Sequence, residues 1–189
     1  MADKLLIPCL YLQSGKAVTG FGQRNLFGEG NIEDLVRFYR DNGADELLVF
    51  DFSSGDKEHD QAIANIKQIC AIAINRMEDV KKLLYAGCAK VVLNFSKESN
   101  ILLLEEVSKR FGKEKMVISI SSMEEFADNQ KLIEKYADEI LALDTIQDEI
   151  ATSSDMKVIL HTEESKTDAL KDLLKKESVH ALSGAYISS

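Results

Sequence analysis

The chain has one proline among 189 residues and ten glycines, five of which crowd between Gln13 and Gly30. Such a composition argues against a disordered tail or linker, which would be rich in both residues. Positive charge is scarce too, with 23 Lys and Arg against 32 Asp and Glu and a formal net charge of −9. A nucleic-acid surface needs clustered Lys and Arg to meet phosphate, so that class is disfavoured; the excess charge serves solubility. Cys9, Cys70 and Cys88 are odd in number, lie in apolar runs and form no C-x-x-C, as expected of buried reduced thiols in a cytoplasmic protein. His59, His161 and His180 share no metal-ligand spacing, and none joins a cysteine nucleophile in a motif, so no metal and no cofactor are expected. His59 reads as a solvated helix residue. No apolar run approaches the length of a membrane span, and Met1–Asp3 has no basic start leading to an apolar stretch. The reading is a cytoplasmic protein, neither secreted nor membrane-spanning.

Four stretches then say nearly the same thing. Gly43–Glu46 leads into LLVFD, Gly87–Lys90 into VVLNF, Tyr136–Glu139 into ILALD, and Glu177–His180 into ALSGA. Each is a helix end, a tight turn, one polar residue and a short, mostly apolar run, which is how a helix enters a buried parallel strand. Glu46, Lys90, Glu139 and His180 are separated by 44, 49 and 41 residues. A compact βα unit needs roughly 30 residues, so each gap has room for two strands. The expected fold is a compact α/β (β/α)8 TIM barrel, one domain over residues 1–189, with half-barrels of about 1–112 and 113–189. It is shortened, since a barrel normally takes about 250 residues.

In chain order, Lys4–Leu12 reads as strand one, followed by an irregular segment from Gln13 to Gly30. Gly20-Phe21-Gly22 fails as a dinucleotide fingerprint because the third glycine position is Asn25. Helix one starts on Asn31 as N-cap and stops at Gly43. Strand two is Leu47–Phe52, with a helix from about Lys57. Strand three is placed at Ile69–Ile74, and a barrel lacking it would be open. Helices follow at Met77–Ala86, Glu98–Phe111, Glu124–Tyr136, Thr145–Thr152 and Glu164–Lys176. Strands four to eight are Val91–Phe95, Met116–Ile120, Ile140–Leu143, Lys157–His161 and Val179–Ile187. No eighth helix is legible before Ser189, which is expected of a polypeptide that continues or of a final strand covered by a partner.

Barrel active sites lie at the C-terminal ends of the strands. Those positions hold Tyr11, Asp51, Asn75, Asn94, Ser121, Asp144 and His161/Thr162. Asp51 and Asp144 are equivalent in the two halves and would form an acid/base pair across the mouth, or each would accept hydrogen bonds from its own turn. Asn94 and Ser121 carry the same two readings and, with Tyr11, complete the candidate ligand-binding set. The loops after strands three and seven, Asn75-Arg76 and Thr162–Ser165, have no glycine to cradle a phosphate, and Glu163 and Glu164 would repel one. At the opposite end, Glu46, Lys90, Glu139 and His180 would share one inward layer: a polar plug, or a gate or docking surface. Two carboxylates around the lysine would favour a cationic His180.

Ile7-Pro8-Cys9-Leu10, Gly15–Val18, Gly43–Leu47 with Phe50-Asp51, Met77–Leu84 and Ala86–Val91 resemble the histidine-biosynthesis barrels. The nearer likeness is to the cyclase subunit of imidazole glycerol phosphate synthase, with the isomerase sister more distant. Arg110–Gly112 and Ala137–Leu141 fit as well. The resemblance implies a (β/α)8 fold of two half-barrels. It also implies a general acid/base Asp where this chain has Tyr11, a second catalytic Asp where it has Ser121, and a basic residue where it has Thr19. Asp51 and Asn94 remain. Glu46, Lys90 and Glu139 match the family's charged ring, where ammonia enters from a glutaminase; the fourth member, an arginine, is Leu5 here. A phenol or hydroxyl does not exchange protons near neutral pH as a carboxylate does. The expectation is therefore a catalytically degenerate barrel, a pseudoenzyme, serving as a structural or interaction domain. It is similar to the N-terminal part of some bifunctional polypeptides carrying phosphoribosyl-AMP cyclohydrolase and phosphoribosyl-ATP pyrophosphatase domains. Fused or associated histidine-pathway domains, or a glutaminase-like protein, are the expected partners. The alternative is a surviving cyclase- or isomerase-like enzyme acting on a small phosphorylated or sugar-derived ligand through Asp51, Asn94 and Asp144.

Overall fold

The computed structural model describes residues 4–20, 25–44, 46–52, 56–65, 71–74, 77–143, 150, 155–162, 167–177 and 179–184. Among the described residues nine strands form a single sheet: β1 (Leu5–Gln13), β2 (Lys16–Val18), β3 (Leu48–Asp51), β4 (Ala71–Ile74), β5 (Lys90–Asn94), β6 (Met116–Ile120), β7 (Glu139–Ala142), β8 (Lys157–His161) and β9 (Val179–Gly184). All but β2 run parallel to their neighbours, and β1 pairs with both β3 and β9. That last pairing closes the sheet into an eight-stranded barrel, which removes the open edges. β4 pairs with β3 and β5, so strand three is present and begins at Ala71. The expected Ile69 and Cys70 lie outside the described residues.

Between the strands run α1 (Ile32–Asp41), α2 (Asp56–Asn65), α3 (Met77–Ala86), α4 (Glu98–Phe111), α5 (Met123–Tyr136) and α6 (Thr167–Leu174). Asn31 caps α1 by accepting hydrogen bonds from the backbone N–H groups of Glu33 and Asp34. Ser122 caps α5, accepting from Glu125 N at 3.2 Å. Gly43 and Gly87 close α1 and α3 with φ of +86° and +101°, a backbone that side chains with a Cβ resist. The expected helix over Thr145–Thr152 falls outside the described residues except at Ile150.

Alternation along the strands divides the core in two. Ile7, Cys9, Tyr11, Leu48, Phe50, Val92, Val117, Leu141, Ile159 and Ala181 fill the barrel interior. Leu10, Leu12, Val49, Val91, Leu93, Ile118, Ile140 and Leu160 face outward and pack under the helices. Two-sided burial explains why these strands read as continuous apolar runs.

One element was not expected. The segment after strand one is not irregular throughout: Ser14 and Gly15, with φ of +51° and +72°, turn β1 back into β2. Two positive φ angles match the twist of a two-residue hairpin. The hairpin carries Val18 onto the interior cluster beside Tyr11, so it folds against the mouth of the barrel.

Candidate functional site

At the C-terminal mouth, Tyr11 from β1 and His161 from β8 meet inside the barrel. The Tyr11 hydroxyl lies 3.0 Å from His161 Nε2, and Ser183 Oγ from β9 lies 3.4 Å from His161 Nδ1. All three side chains are buried. Phe50 stacks on Tyr11 with ring centroids 5.6 Å apart and meets the His161 ring edge-on at 5.3 Å. Phe52 continues the stack on Phe50 at 6.4 Å. Burial pushes the His161 imidazolium down from 6.5 to about 4, so the ring is neutral at physiological pH. The position expected to hold a ligand is thus part of an aromatic plug. In the sequence His161 reads only as a strand end; nothing local pairs it with Tyr11.

Asn94 and Ser121 are engaged with their own turns. Asn94 Oδ1 accepts from the backbone N–H of Ser96 at 2.9 Å, and the Asn94 carbonyl accepts from Asn100 Nδ2 at 2.8 Å. Asn94 thus helps shape the entry into α4. Ser121 donates its backbone N–H to Glu125 Oε2 at 2.9 Å, and its hydroxyl lies 3.1 Å from both Glu125 oxygens. Ser96 Oγ joins the same carboxylate at 3.0 Å. Glu125 is not among the residues the sequence marks at a strand end, although Ser122-x-x-Glu125 is a capping-box signature that announces a carboxylate near this turn. Asp51 ends β3, half-buried and in register with Leu12. Asp144 lies outside the described residues, and so does its expected pairing with Asp51.

At the N-terminal end, three of the four expected layer residues come together. Lys90 Nζ lies 3.2 Å from Glu46 Oε1 and 3.0 and 3.1 Å from the two Glu139 oxygens. Glu139 is 2% exposed, whereas the Glu46 side chain is 32% exposed and carries the cluster out to solvent. Burial by itself would lower the Lys90 ammonium. Glu139 first, and then Glu46, outweigh it and hold the group above the ordinary lysine range. A narrow recess of about 10 Å³ opens here, walled by Ile7, Leu48, Val92, Val117, Leu141 and Ile159 beside Glu46 and Lys90.

His180 does not belong to this ring. The β8–β9 register shifts between Val158, paired with Val179, and Ile159, paired with Ala181, so His180 is skipped. Ala181 takes the inward position instead, as the extra residue of a bulge requires. Among the described residues His180 forms no hydrogen bond with the ring. Leu5, at the fourth family position, packs on the interior apolar cluster. No group of three His, Cys, Asp or Glu among the described residues is placed to hold a metal ion, and no helix among them is long and apolar enough to cross a membrane.

Residues 5–173 match the family described as histidine biosynthesis protein. The imidazole glycerol phosphate synthase subunit HisF of Azobacteroides pseudotrichonymphae is 35% identical over 141 residues, covering 70% of this chain and 56% of that one. The same-named subunit of Exiguobacterium sibiricum is 30% identical over 131 residues, 65% of this chain and 53% of its own. That of Staphylococcus aureus strain Newman is 33% identical over 131 residues, 65% and 52%. The chain thus spans about half the length of the curated relatives it matches. In structure it is similar to the N-acetylmannosamine-6-phosphate 2-epimerase from Clostridium perfringens, with a TM-score of 0.67 over 96% of this chain and 87% of that chain. At 16% identity that likeness speaks for the fold alone.

Proposed function

Because the chain belongs to the histidine biosynthesis protein family, we propose that it is a barrel of that family without the family's chemistry, acting as a structural or interaction domain. The pairing of Tyr11 with His161 carries this reading. The resemblance puts a general acid/base carboxylate at Tyr11, and here a phenol is stacked under Phe50 and bonded to a buried imidazole. With an ordinary value near 10, a phenol exchanges no proton at neutral pH, and an imidazole titrating near 4 is a weak base. The second catalytic position, Ser121, is held by Glu125 through its backbone and its hydroxyl.

The surface for such a role is the N-terminal end. The relatives are named as subunits of a synthase, and the Glu46–Lys90–Glu139 cluster reaches solvent there through Glu46. A glutaminase-like protein, or the cyclohydrolase and pyrophosphatase domains of the histidine pathway, fused or associated, is the partner this reading proposes. Calorimetric titration with the phosphoribulosyl bisphosphate substrate shared by the cyclase and isomerase tests it. No heat at millimolar ligand is expected; micromolar binding would overturn it.

Glu125 supports a second reading. It brings a carboxylate to the end of β6, beside Ser96 and Ser121, near where the family's second acid would stand. A surviving enzyme using Asp51, Asn94 and Asp144 would have this extra group at hand. The same titration separates the two.

A further inference from the structure

Tyr85, on the last turn of α3, is 70% exposed and yet has fixed neighbours. Its ring packs edge-on against Phe111 with centroids 5.8 Å apart, and its hydroxyl accepts a hydrogen bond from Arg110 Nη2 at 3.4 Å. The Arg110 guanidinium in turn lies over the Phe111 ring, 5.4 Å from its centre. Phe111 is half-buried and packs on the outer core, so Tyr85 and Arg110 both rest on a side chain rooted in the fold. An exposed tyrosine ordered in this way gives up little conformational freedom when a partner covers it, and that lowers the cost of binding.

The charge beside it is unanswered. Glu106 stands four residues before Arg110, the spacing and order that favour an ion pair along a helix. Arg110 nevertheless forms no ion pair among the described residues and lies against the two aromatic rings instead. Lys113, exposed in the short turn Lys113–Lys115 that follows α4, forms none either. A guanidinium laid over a ring keeps outer N–H groups, which can grip a carboxylate through two parallel bonds. The helix dipole favours a base at the end of α4 but does not account for an exposed tyrosine fastened to it.

α3 and α4 lead directly into β5 and β6, so their C-terminal ends lie at the N-terminal end of the barrel. Tyr85 precedes Lys90 by five residues, and the patch thus shares its end of the molecule with the Glu46–Lys90–Glu139 cluster. We propose, resting on the interaction role above, that Tyr85 and Arg110 anchor a protein docked at this end, and that the partner meets them with a carboxylate set among apolar side chains. Arg110, with Lys113 close behind it in the chain, takes the carboxylate, and the exposed face of Tyr85 takes the apolar surface. Interfaces concentrate their energy at such tyrosines and arginines, while surrounding contacts exclude water. On a chain of net charge −9 a carboxylate has few places to land, and the unpaired Arg110 and Lys113 offer one.

Titration calorimetry of the full chain tests the proposal with two probes: the glutaminase subunit of imidazole glycerol phosphate synthase, and a polypeptide carrying the cyclohydrolase and pyrophosphatase domains. One of them should bind. Tyr85→Ala and Arg110→Glu should each weaken that binding at least about tenfold with little change in the thermal midpoint of the free chain, since both side chains are exposed. Arg110→Lys keeps the charge but loses the fork and should retain only part of the affinity. Glu46→Lys reports separately on the N-terminal end as the docking face. Binding weakened by Glu46→Lys but indifferent to Tyr85→Ala and Arg110→Glu leaves the interaction role standing and overturns the anchor. Binding indifferent to all three, or no binding of either probe, overturns both.

Discussion

Tyr11 and His161 are 150 residues apart in the chain and touch at 3.0 Å inside the mouth of the barrel. The contact joins β1 to β8 across β9, which lies between them in the closed sheet. It places a neutral hydrogen-bonded pair where the family resemblance puts an acid. The barrel is thereby filled from within at the end where its relatives' chemistry is expected, leaving the polar cluster around Lys90 as the one inward-facing set of charges among the described residues.

Acid should act on the protein through His161. The folded pKa is about 4 against 6.5 for an unburied imidazole. Between these values the unfolded chain binds a proton that the folded chain refuses, so stability falls as pH drops from about 6.5 to about 4. The full effect is about 3 kcal/mol at 1.36 kcal/mol per pH unit. Denaturant titrations from neutral pH to pH 4 should show this loss, and His161→Gln should flatten that limb. An unchanged limb would place the acid sensitivity elsewhere.

Replacing Lys90 by Met should cost about 3–5 kcal/mol, because it strands the buried Glu139 carboxylate without its cation. Adding Glu139→Gln should recover part of the loss by removing the stranded charge. In the unsubstituted protein the raised Lys90 pKa contributes stability below the ordinary lysine value, and that contribution is lost as pH rises through the folded one. Urea midpoints of the single and double variants decide the matter. A loss under about half a kcal/mol for Lys90→Met would mean that solvent screens the cluster.

Much of this fold was legible because burial on both faces writes itself into composition. Val91–Leu93, Met116–Ile120 and Val158–Leu160 are apolar runs closed by helix-capping signals such as Gly87, Gly112 and Ser122, and the structure follows them. The Glu46–Lys90–Glu139 cluster was legible because strand entry fixes the same inward position in each repeat. His180 broke the pattern because a bulge adds one residue to β9, a change of register that no side chain announces. The β1–β2 hairpin was obscured because Ser14-Gly15 is not one of the strong turn pairs. The Tyr11–His161 contact was invisible for a simpler reason. It depends on barrel closure, and local sequence does not encode which residues closure brings together.

Tyr39→Phe should stabilise the protein. Tyr39 is 1% exposed and its hydroxyl has no hydrogen-bond partner among the described residues. Burial raises its pKa from 10.0 to about 12, helped by the nearby Cys9 thiol. A buried polar group without a partner costs about 1–3 kcal/mol, and a phenylalanine fills the same space without it. A gain of about 1 kcal/mol in urea denaturation is expected at neutral pH. The gain should widen above pH 10, where the unfolded tyrosine ionises and the folded one does not. Destabilisation would instead reveal a partner for the hydroxyl.

On the proposed reading, a carboxylate placed at the end of β6 should not confer the cyclase reaction. Ser121→Asp would place an anion where Ser121 Oγ now lies, 3.1 Å from both oxygens of Glu125. Two unit charges about 4 Å apart repel by about 1 kcal/mol even in water, and more where solvent is partly excluded. Glu125 would also lose the Ser121 hydroxyl that helps orient it at the start of α5, weakening the cap shared with Ser122. The variant should be less stable at neutral pH and regain stability on acidification as one carboxylate is protonated. Ser121→Asp/Glu125→Gln should recover stability at neutral pH. Neither variant should turn over the cyclase's phosphoribulosyl substrate with ammonia, because Tyr11 still occupies the other acid position within the plug. Turnover by the double variant would mean that the mouth keeps a working ligand site and that a single lost acid had silenced it.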